Sequence, residues 1–522
     1  MADKTHGKKA GDTESLTAKV GFAYSLVMLF VFPLFLSKDY TSVTKGKYGF
    51  FLVSTIALAV LLILSYVVTI GEAKRRTEKP DFSISKILLF AYGAVNIISV
   101  IFSDFKNVEN SSGKSALLFG MGRYNGLITL VLLLAVCIIV SYIGGFKKWL
   151  PAASSAAMLI ISIIGIIQLS GINFAGLYPK SQHKGYYHEF VATIGNIDFL
   201  ASLFCIMIPL AVAAAVFLEF HTAVRTAMLF SAGAGLYLLL ATDVSSGVVG
   251  MAAFMLVFIP VMLLKKEWAS KGLCAVGFLG LGVFFKLSVS YRYVEAEQKT
   301  YTEFSVSALC IAVLAAAILL IAAGFLTDGK IGKYNGKIIA VSAVLLEIGV
   351  IAAAVIYLAF FYNVEAGSGL MAEIAAFLQG KLTLHSGSRR VAIWKYSFEM
   401  GMEHPLLGHG TGVFKQAFSI SKGADYAQVS NRALDMAHND YLQIFCESGL
   451  IGLAAYLGYL ATTFFRAVKA AVKNTNVLVL MIAAMCYLVQ IFFSFNIVIV
   501  VPVFWVIMGL LENETVKSKK AK

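Results

Sequence analysis

The chain has 522 residues, of which 59% are hydrophobic and 14% are charged, and its formal net charge is +14. Soluble proteins are about half apolar and about a quarter charged, so this composition excludes an ordinary soluble domain and indicates a polytopic membrane protein. The apolar runs are continuous rather than alternating, which favours membrane-spanning helices over barrel strands. We therefore predict an all-α helical bundle. We attribute its positive charge to cytoplasmic anchoring and anionic substrates, and we do not expect nucleic acid as a partner.

Fourteen apolar segments approach or exceed the roughly 20 residues that a helix needs to cross a bilayer. The last segment is short, and two others are separated only by a few residues around Asp243, so we predict about 12–14 spans. The predicted helices lie near residues 18–36, 48–70, 85–103, 125–145, 150–170, 196–217, 225–242, 245–264, 271–290, 303–325, 336–361, 443–466, 476–494 and 497–511.

The distribution of Lys and Arg predicts the orientation of these spans. An even number of spans places both termini on one side, and more than half of the 43 Lys and Arg residues fall on that side. The positive-inside rule then makes both termini cytoplasmic, in the inner (cytoplasmic) cell membrane. No small-residue cleavage site follows the first apolar run, so we expect the first helix to remain as an anchor. The predicted organisation is a cytoplasmic segment 1–17, helices 1–11 over 18–361, a long extracytoplasmic loop 362–442, the last helices over 443–511 and a basic cytoplasmic tail 512–522.

The long loop concentrates aromatic residues, arginines and histidines, which indicates a folded cap on the membrane surface. We predict an amphipathic helix over residues 391–402 that ends before Pro405 and the glycines after it. Six of the eight histidines are expected on the outer side, in the long loop and in one shorter loop: His183, His188, His385, His404, His409 and His438.

Arg390 and Trp394 are four residues apart and share one face of the predicted helix. An arginine fork suits phosphate because it offers bidentate, charge-assisted hydrogen bonds. A surface arginine stacked on a tryptophan, or an anchor for lipid headgroups, is the alternative interpretation. Arg389 is interpreted as a solvated neighbour.

His438 precedes a predicted helix, with Asn439 and Asp440 as candidate capping residues. A histidine at the membrane boundary can act as a general base near neutral pH, or it can simply belong to the helix cap. Glu447 lies about two turns inside the helix, on the face of Asp440 rather than of His438, so we expect it to hold the helix in position. Two glycines beyond it are interpreted as close helix-packing positions, Gly449 and Gly452.

Two further polar residues, Arg123 and Asn196, begin helices predicted to face the outer side. His404 and His409 flank the glycine-rich turn of the long loop, and we interpret them as structural. No His, Cys or carboxylate cluster has metal-ligand spacing, and the six cysteines form no Cys-x-x-Cys pair. A metal site is therefore not expected.

These motifs together resemble those of the O-antigen ligase and polymerase superfamily, membrane glycosyltransferases that use glycans linked to polyprenyl diphosphate. The resemblance includes a long loop just before the last helices. The matching segments are Ser-Arg-Arg-Val-Ala-Ile-Trp at 388–394, His-Pro-Leu-Leu-Gly-His-Gly at 404–410, Ala-His-Asn-Asp-Tyr-Leu at 437–442, Glu-Ser-Gly-Leu-Ile-Gly at 447–452, Gly-Arg-Tyr-Asn-Gly at 122–126 and Gly-Asn at 195–196.

The resemblance implies that an acceptor hydroxyl on a glycan, lipid or other molecule attacks a glycan carried by a polyprenyl (undecaprenyl) diphosphate. Arginines can then replace a metal ion, so neither a metal nor a cofactor is expected. On this hypothesis Arg390 and Arg123 stabilise the leaving diphosphate and His438 activates the acceptor. The last helices and the long loop would form a lateral opening for the lipid. The other candidate substrate-binding residues are Arg389, Trp394, Asn439, Tyr441 and Asn196.

The chain departs from the family pattern at two positions. Family members often carry an arginine before a glycine where this chain has Ser246 before Gly247, and Arg389 stands where they have a glycine. A transporter or flippase of lipid-linked saccharides is the alternative function, although polar residues gathered at one face favour an enzyme. A peptidoglycan polymerase of similar architecture is a further possibility, and the His-Asn and Arg-x-x-x-Trp motifs argue against it. The motifs are shared by ligases and polymerases and do not distinguish them.

Overall fold

The structure is a computed structural model that describes residues 15–73, 82–178, 192–294, 297, 299–327, 330 and 332–520. Two of the histidines predicted to face outward, His183 and His188, lie outside these residues. The helices are α1 (Leu16–Leu26), α2 (Phe32–Leu34), α3 (Val43–Ala73), α4 (Ile84–Phe102), α5 (Ala116–Phe119), α6 (Leu127–Ile143), α7 (Trp149–Leu169), α8 (Ile197–Phe217), α9 (Thr222–Ala241), α10 (Ser245–Met262), α11 (Lys266–Ser288), α12 (Ala308–Thr327), α13 (Gly336–Phe360), α14 (Gly369–Leu378), α15 (Arg390–Gly401), α16 (Phe414–Ser421), α17 (Gly423–Ala427), α18 (Asp440–Ala471), α19 (Thr475–Gln490) and α20 (Val501–Lys520).

Each of the fourteen predicted spans coincides with a helix. Twelve helices among the described residues are long and apolar enough to cross a membrane, and the first, Leu16–Leu34, joins α1 and α2 through one π-helical turn. The other two predicted spans correspond to α6, which has 17 residues, and to α20, whose second half is charged. The prediction of an all-α polytopic membrane protein is confirmed.

The last helix, α20, continues past the predicted end at residue 511 and reaches Lys520. Its polar second half remains helical because neighbouring helices satisfy its side chains. The carboxylate of Glu512, which is almost completely buried, accepts hydrogen bonds from Thr463 Oγ1 (2.6 Å) and Arg466 Nη1 (2.9 Å) of α18. The first part of the predicted basic tail is therefore a packed helix.

One antiparallel β-hairpin, made of β1 (Val289–Val294) and β2 (Lys299–Phe304), connects α11 to α12. It was not predicted: most of both strands lies in the connection between the predicted helices 271–290 and 303–325, which was left without secondary structure. Arg292 Nε donates to Glu303 Oε1 across the pair at 2.6 Å.

Helix α8 lies at the centre of the bundle and its membrane-spanning window is completely buried. It packs against α7, α9, α10 and α19. At the periphery, the corresponding window of α13 is only 6% buried. The segment between α13 and α18 carries α14 to α17, and the predicted helix over 391–402 is confirmed as α15. Its buried face joins a small core with α16 and α17, through Ala392, Ile393, Tyr396 and Met400.

Candidate active site

Helix α18 is interrupted at Gly449, whose φ of 67° and ψ of −171° lie outside the helical region. The interruption frees backbone groups that the turn around residues 404–412 then pairs. This pairing attaches the long segment directly to α18. The hydrogen bonds run from His409 N to Cys446 O (2.9 Å), from Gly410 N to Glu447 O (3.0 Å) and from Leu450 N to Pro405 O (2.8 Å).

The two backbones approach so closely that Gly449 has no room for a side chain. A Cβ there would lie 2.2 Å from the carbonyl carbon and oxygen of Leu406. The expectation that Gly449 packs against a neighbouring helix was therefore wrong, because the residue breaks its own helix against a loop. Gly452 remains helical, and Val95 of α4 lies 3.5 Å from the position of its missing Cβ.

His438 is held in a left-handed backbone conformation with φ of 50°, just before α18. Trp394 Nε1 donates to the carbonyl oxygen of His438 at 3.4 Å, so the tryptophan positions the histidine backbone. The half-buried imidazole packs edge-on against Phe495 with 5.1 Å between ring centroids. A left-handed conformation in a residue with a Cβ is uncommon and often marks a functional position.

Four charged side chains influence the pKa of His438. Burial lowers the pKa of His438 below its ordinary value, and the positive charges of Arg390 and Arg123 lower it further. The carboxylates of Asp198 and Asp435 act in the opposite direction. The imidazole is therefore neutral at physiological pH, which is the form that accepts a proton.

Arg123 reaches the same place from the loop before α6. Its guanidinium lies 5.5 Å from the ring centroid of Phe495 and 5.8 Å from that of Phe199. Nε and Nη2 both donate to Asp435 Oδ2, at 2.9 and 2.5 Å, and about a third of each side chain is exposed. Phe495 thus contacts both Arg123 and His438, and the arginine already holds a carboxylate.

Arg390 begins α15, and its Nε is buried without a hydrogen-bond partner among the described residues. The residue lines a cavity of about 550 Å³ that is almost entirely apolar. Val249 of α10, Ile374 of α14 and Phe493 line the same cavity. A cationic fork at the edge of an apolar cavity suits a ligand with an anionic head and a hydrocarbon chain.

Ser246, which stands at the position of the family arginine, lines the same cavity at the start of α10. Its hydroxyl accepts a hydrogen bond from Gln490 Nε2 at 3.1 Å. Arg389, the other departure, has φ of 70° and donates from Nη1 to Ser430 Oγ at 3.0 Å. Arg389 therefore braces the loop that leads to His438, and within the described residues it does not replace a cation at Ser246.

The remaining predicted binding residues have structural contacts. The Asn439 side chain caps α18 by accepting from Leu442 N at 3.1 Å, as the sequence predicted. Asn196 caps α8 in the same way, accepting from Asp198 N at 2.9 Å. The Tyr441 hydroxyl donates to Leu488 O at 2.8 Å, which directs it toward α19.

Glu447 is buried and connects three parts of the site. Its Oε1 accepts hydrogen bonds from Gln443 Nε2 at 2.8 Å and from Gly412 N at 3.2 Å. Gln443 Oε1 in turn accepts from Ala437 N at 2.8 Å. This network supports the predicted role of Glu447 in positioning the helix, since it ties α18 to the glycine-rich turn and to the residue before His438.

His404 and His409 form a separate pair, with ring centroids 4.5 Å apart. His409 Nε2 contacts Met400 O at 3.0 Å, and burial lowers the pKa of this histidine. His404 Nε2 lies 3.7 Å from Asp104 Oδ2. These contacts agree with a structural interpretation. Across the described residues, no group of three or more His, Cys, Asp or Glu side chains is arranged to hold a metal ion.

Sequence reasoning missed three residues of this site: Phe495, Asp435 and Asp198. Phe495 contacts both Arg123 and His438 but falls after the end of a predicted span. Asp435 precedes His438 by three residues, and that proximity was the one available signal. Asp198 follows a capping asparagine, where an acidic residue is ordinary at the start of a helix.

The fold and the site together define a multi-pass membrane protein with a polar site assembled at the start of α18 from segments distant in sequence. Residues 210–457 match the family model described as O-antigen ligase. The matched segment includes Arg390, His438 and Glu447. Comparison with curated proteins finds no match. This match supports a membrane glycosyltransferase-like role in polysaccharide biosynthesis.

Proposed function

We propose that the protein transfers or polymerises a glycan from a polyprenyl diphosphate donor onto an acceptor hydroxyl on the outer face of the membrane. The observation that carries this proposal is a neutral, half-buried imidazole, His438, whose pKa is lowered by the charges of two guanidinium groups, those of Arg390 and Arg123. One of them, Arg390, lies at the edge of an apolar cavity. A base, an anion-binding fork and a hydrocarbon-binding surface are the three elements that such a transfer requires.

The chemistry follows from the charges that develop during transfer. The acceptor oxygen forms a bond to the anomeric carbon while its proton passes to His438, and the bond from that carbon to the diphosphate oxygen breaks. The diphosphate leaves with the electron pair, and the guanidinium groups of Arg390 and Arg123 stabilise its charge. Arg123 does so by exchanging the carboxylate of Asp435 for the diphosphate.

The cavity at Arg390 is our proposed site for the first isoprene units of the donor. Its walls come from α10, α14, α15 and the residues after α19, so the lipid would enter between α10 and the long segment. This position refines the expectation of an opening formed by the last helices and the long loop, because α10 also contributes.

The test is a transfer assay with the purified full-length protein and a synthetic polyprenyl diphosphate glycan. His438→Ala is expected to abolish transfer while donor binding persists, and His385→Ala, an exposed histidine of the same segment, is expected to behave as the wild type. Transfer by His438→Ala at the wild-type rate would refute the assignment of the base.

Product analysis in the same assay separates the remaining alternatives. A longer glycan still on the polyprenyl diphosphate identifies a polymerase, and glycan on a new carrier identifies a ligase. A reconstituted protein that moves the donor across vesicles without forming either product would be a flippase. Transfer that survives thorough chelation of divalent ions is expected, since arginines supply the positive charge.

A further inference from the structure

A second cavity, with polar side chains in its wall, lies beside the first part of α18. Its volume is about 80 Å³, and both Asp440 and Glu447 line it. Among the described residues, none of those lining it is Lys, Arg or His. The other lining groups include oxygen-bearing side chains from four parts of the fold: Tyr92, Asn125, Thr411 and Asn496.

The negative charges of Asp440 and Glu447 are stabilised to different degrees by hydrogen bonds and by the dipole of α18. Both oxygens of Asp440 accept hydrogen bonds from Asn496, from its N at 3.1 Å and its Nδ2 at 2.5 Å, and Asp440 lies in the first turn of α18, where the helix dipole favours an anion. Glu447 lies just before the break at Gly449, in the last turn of the short first segment, where the dipole opposes an anion.

The two carboxylate oxygens of Glu447 also differ in the number of hydrogen bonds they accept. Oε1 accepts both hydrogen bonds that described residues donate to this carboxylate, and Oε2 receives none from them. The side chain is nevertheless only 8% exposed. A proton on Oε2 would still need an acceptor, so protonation alone does not satisfy this oxygen.

Tyr456 gives an independent indication of a ligand. Its side chain lines the cavity and is 1% exposed, and its hydroxyl has no hydrogen-bond partner among the described residues. A buried hydroxyl without a partner costs about 1–3 kcal/mol, so such groups are rare unless something binds them.

We propose that this cavity binds a small monovalent cation of the sodium class, held by Glu447 Oε2 and the surrounding neutral oxygens. Oxygen ligands select hard cations. Calcium takes six to eight oxygens and several carboxylates, whereas one free carboxylate oxygen among neutral groups matches a single charge. The volume accommodates an ion with one or two waters, since a water occupies about 30 Å³. The cation links α18 to α4, to the loop before α6 and to the segment before α20.

The test is the thermal stability of the purified full-length protein in choline chloride, with sodium chloride substituted at constant ionic strength. A ligand that binds only the folded state raises the melting temperature in a saturable way. We expect this response in the wild type, and we expect Tyr456→Phe to need about tenfold more sodium for half-saturation. The matched control is Glu399→Gln, a surface carboxylate near Lys395, which should retain the full response.

Glu447→Gln is expected to lose the sodium response. Direct binding of radioactive sodium to the wild type gives a readout that does not depend on the folding of this variant, and about one ion per chain is expected. Equal melting temperatures in sodium and choline, an unchanged response in Glu447→Gln, or no saturable binding would each overturn the proposal. If Glu447→Gln melts at a higher temperature than the wild type in choline chloride and shows no response to sodium, the Glu447 carboxyl is protonated in the wild type, and the proposal is overturned.

Discussion

Substituting Gly449 by alanine tests whether the break in α18 holds the site together. The alanine would have to adopt φ of 67° and ψ of −171°, a region that costs a residue with a Cβ about 1–3 kcal/mol. Its Cβ would also lie 2.2 Å from the Leu406 carbonyl, whereas ordinary contacts between carbon atoms are about 3.5–4.0 Å. The backbone at Leu406 must therefore move away by roughly 1 Å or more.

That movement separates the two backbones that carry the hydrogen bonds around Gly449. Loss of two of these bonds costs about 1 kcal/mol each, so the total expected loss of stability is about 3–5 kcal/mol. Because the turn at residues 404–412 also bonds to Glu447, we expect the transfer activity to fall with stability.

The assay is thermal unfolding in detergent together with glycan transfer, with Gly458→Ala as the control on the same helix. A Cβ at Gly458 would lie 3.2 Å from the end of the flexible Leu88 side chain, and alanine is a better helix former than glycine, so this variant should be within about 1 kcal/mol of the wild type. A Gly449→Ala protein that melts and transfers like Gly458→Ala would refute the reasoning.

Three further predictions concern the proposed reaction. Arg390→Lys keeps the charge but loses the fork, so we expect the rate of transfer to fall at least about tenfold. The control Arg432→Lys, at an exposed arginine, should have no effect. Equal rates for Arg390→Lys and the wild type would show that Arg390 is a surface anchor. Burial and the charge of Arg390 lower the pKa of His438 below 6.5, so the imidazole stays neutral until the pH falls below that value. The acid limb of the kcat/KM profile should therefore lie below pH 6.5. An acid limb above pH 6.5 would contradict the assignment of His438 as the base. Val249→Trp narrows the apolar cavity and should raise the KM for the lipid donor more than it lowers kcat. The control Leu256→Trp, on the exposed side of α10, should leave the donor KM unchanged. Equal donor KM values for the two variants would exclude this cavity as the lipid site.

The number and positions of the spans were predictable because hydropathy acts over about 20 residues and needs no tertiary information. The cap at Asn439 and the helix α15 were predictable for a similar reason, since local hydrogen bonding and helical periodicity decide them. The break at Gly449 was not, because glycine is also common where helices pack, and only the approach of Leu406 distinguishes the two cases.

The composition of the site was predictable only in part. His438, Arg123 and Arg390 stood out as polar residues at the ends of apolar segments, and in the structure the charges of both arginines act on His438. Phe495 was missed because an aromatic residue near a span is unremarkable until its two neighbours are known. Asp435 was missed because the pairing of side chains 312 positions apart leaves no trace in local sequence.

The complete burial of α8 has a consequence for how this protein tolerates change. Its mean hydropathy of 2.5 is almost that of α13, at 2.6, yet α8 touches protein all round while α13 is largely exposed. Almost any apolar side chain suits a surface in contact with lipid, so α13 is expected to tolerate most substitutions of one apolar residue by another. Helix α8 must be apolar to enter the membrane and must then match the shape of its neighbours, because interiors are packed as densely as crystals. Two spans that a hydropathy profile cannot tell apart are therefore expected to evolve at different rates.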